Sequence, residues 1–140
     1  MRWLAAVVAL VFLALLILEL DRSSEENGGG WILNDLPAAM TVAEEQKKPV
    51  LINFWTPSCY WCVKMDREVM QDPAVKEAMS RYVLLRVDTS RRGSEELVRR
   101  YGIYGTPGFV VLSPEGEVLA VSVGYMPKEK FLTFLRGSLP

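Results

Sequence analysis

Cys59 and Cys62 are the only cysteines of the chain, and two residues separate them. An apolar run, Val50-Leu51-Ile52-Asn53-Phe54-Trp55, leads toward them through Thr56-Pro57-Ser58. A helix-compatible run, Val63-Lys64-Met65-Asp66-Arg67-Glu68-Val69-Met70, leads away. Strand, turn, Cys-x-x-Cys and helix, in that order, is the setting in which this spacing reads as a redox dithiol.

The physical reason lies in the helix start. The first turn has unpaired N–H groups and the positive end of the dipole. A thiol there ionises more easily, and the thiolate is the reactive form. Two intervening residues set the second sulfur about one turn on, where it can attack a mixed disulfide formed at the first. Cys59 is therefore the expected attacking sulfur, the more exposed and more acidic one, and Cys62 the resolving one. A purely structural disulfide across so short a loop would stabilise little. A zinc or copper site needs more ligands than two cysteines, and the chain has no histidine.

Composition narrows the chemistry further. With no imidazole, Ser-His and Cys-His hydrolase mechanisms are excluded. A net charge of −1 gives no reason to expect nucleic acid as a partner. In 140 residues, 50% of them hydrophobic, there is room for one domain with a real core plus an extra segment.

That segment is N-terminal. An unbroken apolar run covers residues 3–18, from Trp3 to Leu18, and as a helix it would be about 24 Å long, against about 30 Å of bilayer hydrocarbon. Its first reading is an uncleaved signal anchor over residues 1–21, entering the membrane through Trp3 to Leu20. A cleaved signal peptide, leaving a secreted domain, is the second. A buried soluble helix ranks last, because the run is apolar on every face. Arg2 precedes it, and Glu19, Asp21, Glu25 and Glu26 follow with only Arg22 opposing. Basic flanks stay in the cytoplasm. A single-pass protein of the cytoplasmic membrane is expected, its domain on the periplasmic or extracellular side. Residues 22–30, rich in Ser, Glu, Asn and Gly, read as a flexible linker, and 31–140 as the globular domain.

Within that domain Asp35 and Pro37 open a helix that Pro49 stops. Residues 50–55 form a strand covered on both faces. Asp72-Pro73 starts a further helix over 74–81, and 82–88 is a second buried strand. Ser94 caps a helix over 95–101, and Gly102 ends it. Residues 109–112 and 117–123 pair as a hairpin around Ser113-Pro114-Glu115-Gly116. A last helix follows Pro127, packing through Phe131, Leu132 and Leu135. The result is an α/β layered domain with a mixed sheet.

This pattern resembles the thioredoxin fold. The matching residues are Phe54-Trp55, Cys59-x-x-Cys62, Asp88 closing the next strand, Tyr101-Gly102-Ile103-x-Gly105-x-Pro107, Gly116-Glu117, Gly124 and Phe134-Leu135. Lys48-Pro49-Val50, Asp72-Pro73-Ala74-Val75, the strand ending Arg86-Val87-Asp88, and Gly124-Tyr125-Met126 are similar to the C-terminal domain of membrane thiol–disulfide interchange reductases. The resemblance implies a central mixed β-sheet flanked by helices, here preceded by one N-terminal hydrophobic helix. It implies that Pro107 is cis beside the dithiol, leaving the Thr106 backbone free to pair with an extended substrate. It also implies a reductant of protein disulfides, in apocytochromes or wrongly oxidised proteins, that needs no cofactor. Those relatives carry a multi-span electron-carrying segment in the same chain, so the electron donor expected here is a separate membrane protein. A thiol oxidant or isomerase and a non-catalytic binding module are the alternatives.

Three departures stand out. Asn53 replaces the buried Asp that precedes Phe-Trp in thioredoxins, and Leu84 stands where a Lys usually faces that Asp. Asn53 is thus a supporting residue unable to take a proton from Cys62. Tyr60 and Trp61 put no cation between the cysteines; they read as an apolar docking rim, while Trp55 reads as packing. Arg67 replaces the Pro that usually kinks the cysteine helix.

Overall fold

The computed structural model describes residues 1–22 and 30–140, with side chains described outside 18–29. By contact the chain divides into Met1–Gly30 and Trp31–Pro140. The first unit contains helix α1, Arg2–Arg22, whose apolar side chains from Trp3 to Ile17 are exposed. Among the described residues, no helix is long and apolar enough to cross a membrane. The linker expected over 22–30 lies, from 23 to 29, outside the described residues.

The second unit runs β1 (Trp31–Leu33), α2 (Leu36–Gln46), β2 (Val50–Trp55), α3 (Tyr60–Met65), a π-helical turn (Asp66–Met70), α4 (Pro73–Met79), β3 (Val83–Asp88), α5 (Glu95–Tyr101), β4 (Gly108–Leu112), β5 (Val118–Val123) and α6 (Lys128–Gly137). The sheet order is β1-β3-β2-β4-β5. The pairs β1–β3 and β3–β2 are parallel, and β2–β4 and β4–β5 antiparallel. This is a thioredoxin-like α/β fold with a mixed sheet and flanking helices.

Each face of the sheet is sealed by its own cluster. Val50, Ile52, Phe54, Val83, Leu85, Val110 and Leu112 point to one side, with Ala39 and Ala43 of α2 over them. Leu51, Phe109 and Val111 point to the other, under Met65, Val75, Phe131 and Leu135 of α3, α4 and α6. Asp35 caps α2 by accepting from Ala38 N–H at 2.9 Å, and Asp72 caps α4 by accepting from Ala74 N–H at 2.9 Å.

Three expectations need correction, and one strand is new. Strand β1 was not foreseen: three residues carry no readable period, and the strand exists through its register with Leu84, Leu85 and Arg86. Strand β3 is not buried throughout. Val83, Leu85 and Val87 are buried, while Leu84, Arg86 and Asp88 alternate with them half-exposed on the other face. Ser94 does not cap α5; its Oγ donates back to Thr89 and Arg91 carbonyls, and the Glu95 carboxylate accepts from Gly93 N–H at 2.8 Å. The cysteine helix, with Arg67 in place of a kinking proline, passes into the π turn at Asp66, a local widening that re-aims side chains.

Tyr82 ties α6 to the sheet, its hydroxyl donating to the Leu135 carbonyl. Burial pushes this phenol up from near 10 to about 12. A raised folded value means that its contribution is complete below the unfolded value near 10 and is lost as pH climbs toward 12. Tyr82→Phe is expected to cost about 1 kcal/mol at pH 8, the net worth of one hydrogen bond, and to flatten the alkaline loss. Urea unfolding at pH 8 and pH 11 measures both. An equally steep alkaline loss in the variant would assign the slope to other groups.

Candidate active site

Strand β2, at the centre of the sheet, carries the chain to its C-terminal end, and the turn after Trp55 leads into α3. Cys59 is the residue before the first helical turn, with extended backbone, and its Sγ accepts from Cys62 N–H at 3.1 Å. Cys59 is half-buried and Cys62 is 2% exposed. The two form a disulfide, with Cα atoms 5.2 Å apart. The outer sulfur is thus the one a partner can reach, and the inner one is sealed beneath it.

The Thr106–Pro107 bond faces this pair and is cis. The Thr106 carbonyl oxygen lies 3.5 Å from Cys59 Sγ, where a reduced Cys59 thiol can donate to it. A groove lined by Thr89, Ile103, Tyr104 and Gly105 adjoins Thr106. Gly108 follows the proline with no room for a side chain, since a Cβ there would stand 2.5 Å from Ile103 Cγ2.

Tyr60 is 69% and Trp61 49% exposed, beside Cys59. Their rings meet edge to face at 5.3 Å, and Trp61 also leans on Tyr125 at 5.6 Å. Lys64 lies 5.3 Å over both the Trp61 and Tyr125 rings. Trp61 therefore has intramolecular neighbours that Tyr60 has only through it. Trp55 packs inward, with the Arg86 guanidinium 4.5 Å from its ring.

Asn53 is fully buried. Its Nδ2 makes two long contacts, 3.5 Å to the carbonyls of Phe54 and Gly108, and its Oδ1 has no partner. The expectation that Leu84 faces Asn53 is corrected by the register. Leu84 pairs with Leu51, and Arg86 stands on the rung of Asn53. Arg86 in turn holds Asp66, one nitrogen donating to both carboxylate oxygens at 2.7 and 2.6 Å. Its guanidinium also lies 5.6 Å over Trp31. The structure therefore brings together Cys59, Cys62, Tyr60, Trp61, Thr106 and Pro107, with Asn53 and Trp55 in the strand that leads to them. It adds Arg86, Asp66 and Trp31, which sequence reasoning missed. Two signals were present: one arginine interrupting the apolar strand Val83–Asp88, and an acid four residues after Cys62. Among the described residues, no three His, Cys, Asp or Glu side chains group to hold a metal ion.

A thioredoxin-like domain family matches residues 36–137, most of the chain. The chain belongs to that family. A thiol:disulfide interchange protein, DsbD, of Ralstonia nicotianae is 28% identical over 110 residues, which are 76% of this chain and 18% of that protein. The chain thus spans less than a fifth of the length of this curated relative. A thioredoxin from Thermus thermophilus superposes with a TM-score of 0.68 at 32% identity, over 76% of this chain and 85% of that one. The reduced DsbD C-terminal domain of Neisseria meningitidis superposes with a TM-score of 0.66 at 26% identity, over 77% of this chain and 100% of that one. Such interchange relatives and the Cys59–Cys62 pair together support thiol–disulfide oxidoreductase activity.

Proposed function

We propose that the chain is a membrane-tethered thiol–disulfide oxidoreductase that reduces protein disulfides outside the cytoplasm. What carries the reading is the reachable Cys59 Sγ at a helix start, 3.5 Å from the Thr106 carbonyl, with Cys62 sealed behind it. The Cys59 thiolate attacks one sulfur of a substrate disulfide, and that disulfide breaks. A mixed disulfide forms and one substrate thiolate leaves. The Cys62 thiolate then attacks Cys59 Sγ, and the second substrate thiolate leaves. Two electrons pass to the substrate, whose sulfurs take up two protons from water, and the chain is left as the Cys59–Cys62 disulfide. Tyr60 and Trp61 give the partner an apolar surface, and the Thr106 backbone pairs with its extended segment.

The pair must then be reduced again by a dithiol donor, and a separate membrane protein fits that role. Reduction is favoured over oxidation or isomerisation by the similarity to the interchange protein's C-terminal domain, since direction depends on potential against the compartment. Apocytochrome cysteines and misoxidised proteins are the target classes. The tether rests on the apolar run from Trp3 to Leu18, with Arg2 before it and acids after it.

Trapping thiols in intact cells tests the direction. A mostly reduced Cys59–Cys62 pair supports a reductant fed by a donor; a mostly oxidised pair supports an oxidant. A reduced full-length chain that fails to exchange with any protein disulfide would overturn the activity itself.

A further inference from the structure

A half-buried charge pair, whose Asp66 side chain is 33% exposed, adjoins the cysteine helix and has no part in the exchange just described. Asp66 is four residues after Cys62, and its N–H donates to the Cys62 carbonyl. Side chains so spaced on a helix stand about 6 Å apart between Cβ atoms. Asp66 therefore places a carboxylate near a thiol that is 2% exposed. An uncompensated negative charge at that range opposes formation of a second one on sulfur. Arg86 meets that carboxylate from β3, donating to both oxygens. Its side chain is only 17% exposed, and its Nε is buried without a partner. The guanidinium has Trp31 and Trp55 within 5.6 and 4.5 Å, so it cannot easily swing to solvent. On the same rung, Asn53 supplies no second carboxylate to compete for it.

We propose that Arg86 is a positioning residue for the resolving step: clamped between two tryptophans, it holds Asp66 and cancels that charge so that Cys62 can ionise. The inference rests on the reading of Cys62 as the resolving sulfur. The other charged groups of α3, the π turn and β3 are engaged elsewhere or exposed, and Lys128 of α6 is held by Asp72. Lys64 of α3 and Glu68 of the π turn lie 3.9 Å apart, and Glu68 also accepts from the Tyr125 hydroxyl at 3.3 Å. Arg67 is exposed. Asp88, at the end of β3, accepts from Ser90 N–H and Oγ at 2.9 and 2.6 Å. Strands β2 and β4 present Asn53 and Phe109, neither of which titrates.

The two charges make opposite predictions, which a merely structural role does not. The full-length chain in detergent micelles is prepared with Cys59→Ser, so that Cys62 is its only thiol. Cysteine labelled with carbon-13 at Cβ then reports the thiolate by NMR as pH is raised. Arg86→Gln should move the midpoint up by about one pH unit, a roughly tenfold loss of thiolate at fixed pH. Asp66→Asn should move it down. Arg86→Lys keeps the charge but not the flat stacking, so it should lose stability yet titrate close to the parent. If Arg86→Gln and Asp66→Asn shift the midpoint in the same direction, or Asp66→Asn leaves it in place, the proposal is wrong. Should Arg86→Gln not fold, Asp66→Asn and Arg86→Lys decide alone: a downward shift with a parent-like lysine variant supports it, and any other pair of results overturns it. The midpoint is read without any substrate. A failure of the oxidoreductase reading shows separately, as absence of exchange between the reduced two-cysteine chain and a protein disulfide.

Discussion

Cys62→Ser should leave substrate stranded on Cys59, with turnover of a protein disulfide lowered on the order of a thousandfold or more. Resolution in the parent is intramolecular, between residues whose Cα atoms are 5.2 Å apart. A neighbouring group already in place acts at an effective concentration that no dissolved thiol at millimolar levels matches. Removing it leaves only slow attack from outside. Cys59→Ser should fail differently. Cys62 is 2% exposed, so the remaining thiol cannot reach a folded partner, and no adduct should form. Non-reducing electrophoresis with mass spectrometry of the adducts separates the two outcomes. Adducts that accumulate in Cys59→Ser and not in Cys62→Ser would exchange the roles assigned to the two sulfurs.

Sequence was informative where one residue type has one physical use. Pro73 after Asp72 and Gly102 in the left-handed region each mark a helix end that the structure places there. The apolar run Val50–Trp55 is a strand because it is covered on both faces, and its burial is nearly complete. The cis bond before Pro107 was legible only through the resemblance, since nothing in Gly105-Thr106-Pro107-Gly108 by itself selects that isomer. What sequence could not carry was register. Nothing in the sequence pairs Asp66 with Arg86. They meet because β3 lies parallel to β2 with Arg86 beside Asn53, while the π turn carries Asp66 over that rung. Strand β1 failed for the same reason: it is defined by its partner, and three residues hold no pattern of their own.

The second large effect concerns Phe109, which joins the stability of the domain to the site. It lies two residues beyond Pro107, is fully buried, and shares a rung with Asn53. Its ring centroid is 4.9 Å from that of Phe131 and 6.5 Å from that of Phe134, so β4 is held to α6 largely through this side chain. Phe109→Ala removes the ring from a cluster closed by Leu51, Met65 and Leu135, which cannot collapse into the space without moving the sheet. A cost of about 3–5 kcal/mol is expected. That is a large part of the roughly 5–15 kcal/mol that a domain of this kind has in all. Val121→Ala on edge strand β5, where Val121 is 46% exposed, should cost about 0.5 kcal/mol. Urea midpoints at an unchanged slope report both. A loss below about 1 kcal/mol for Phe109→Ala would mean that α6 is not what seals this face. The strand carrying Pro107 would then be held in place by its ladder with β2 alone.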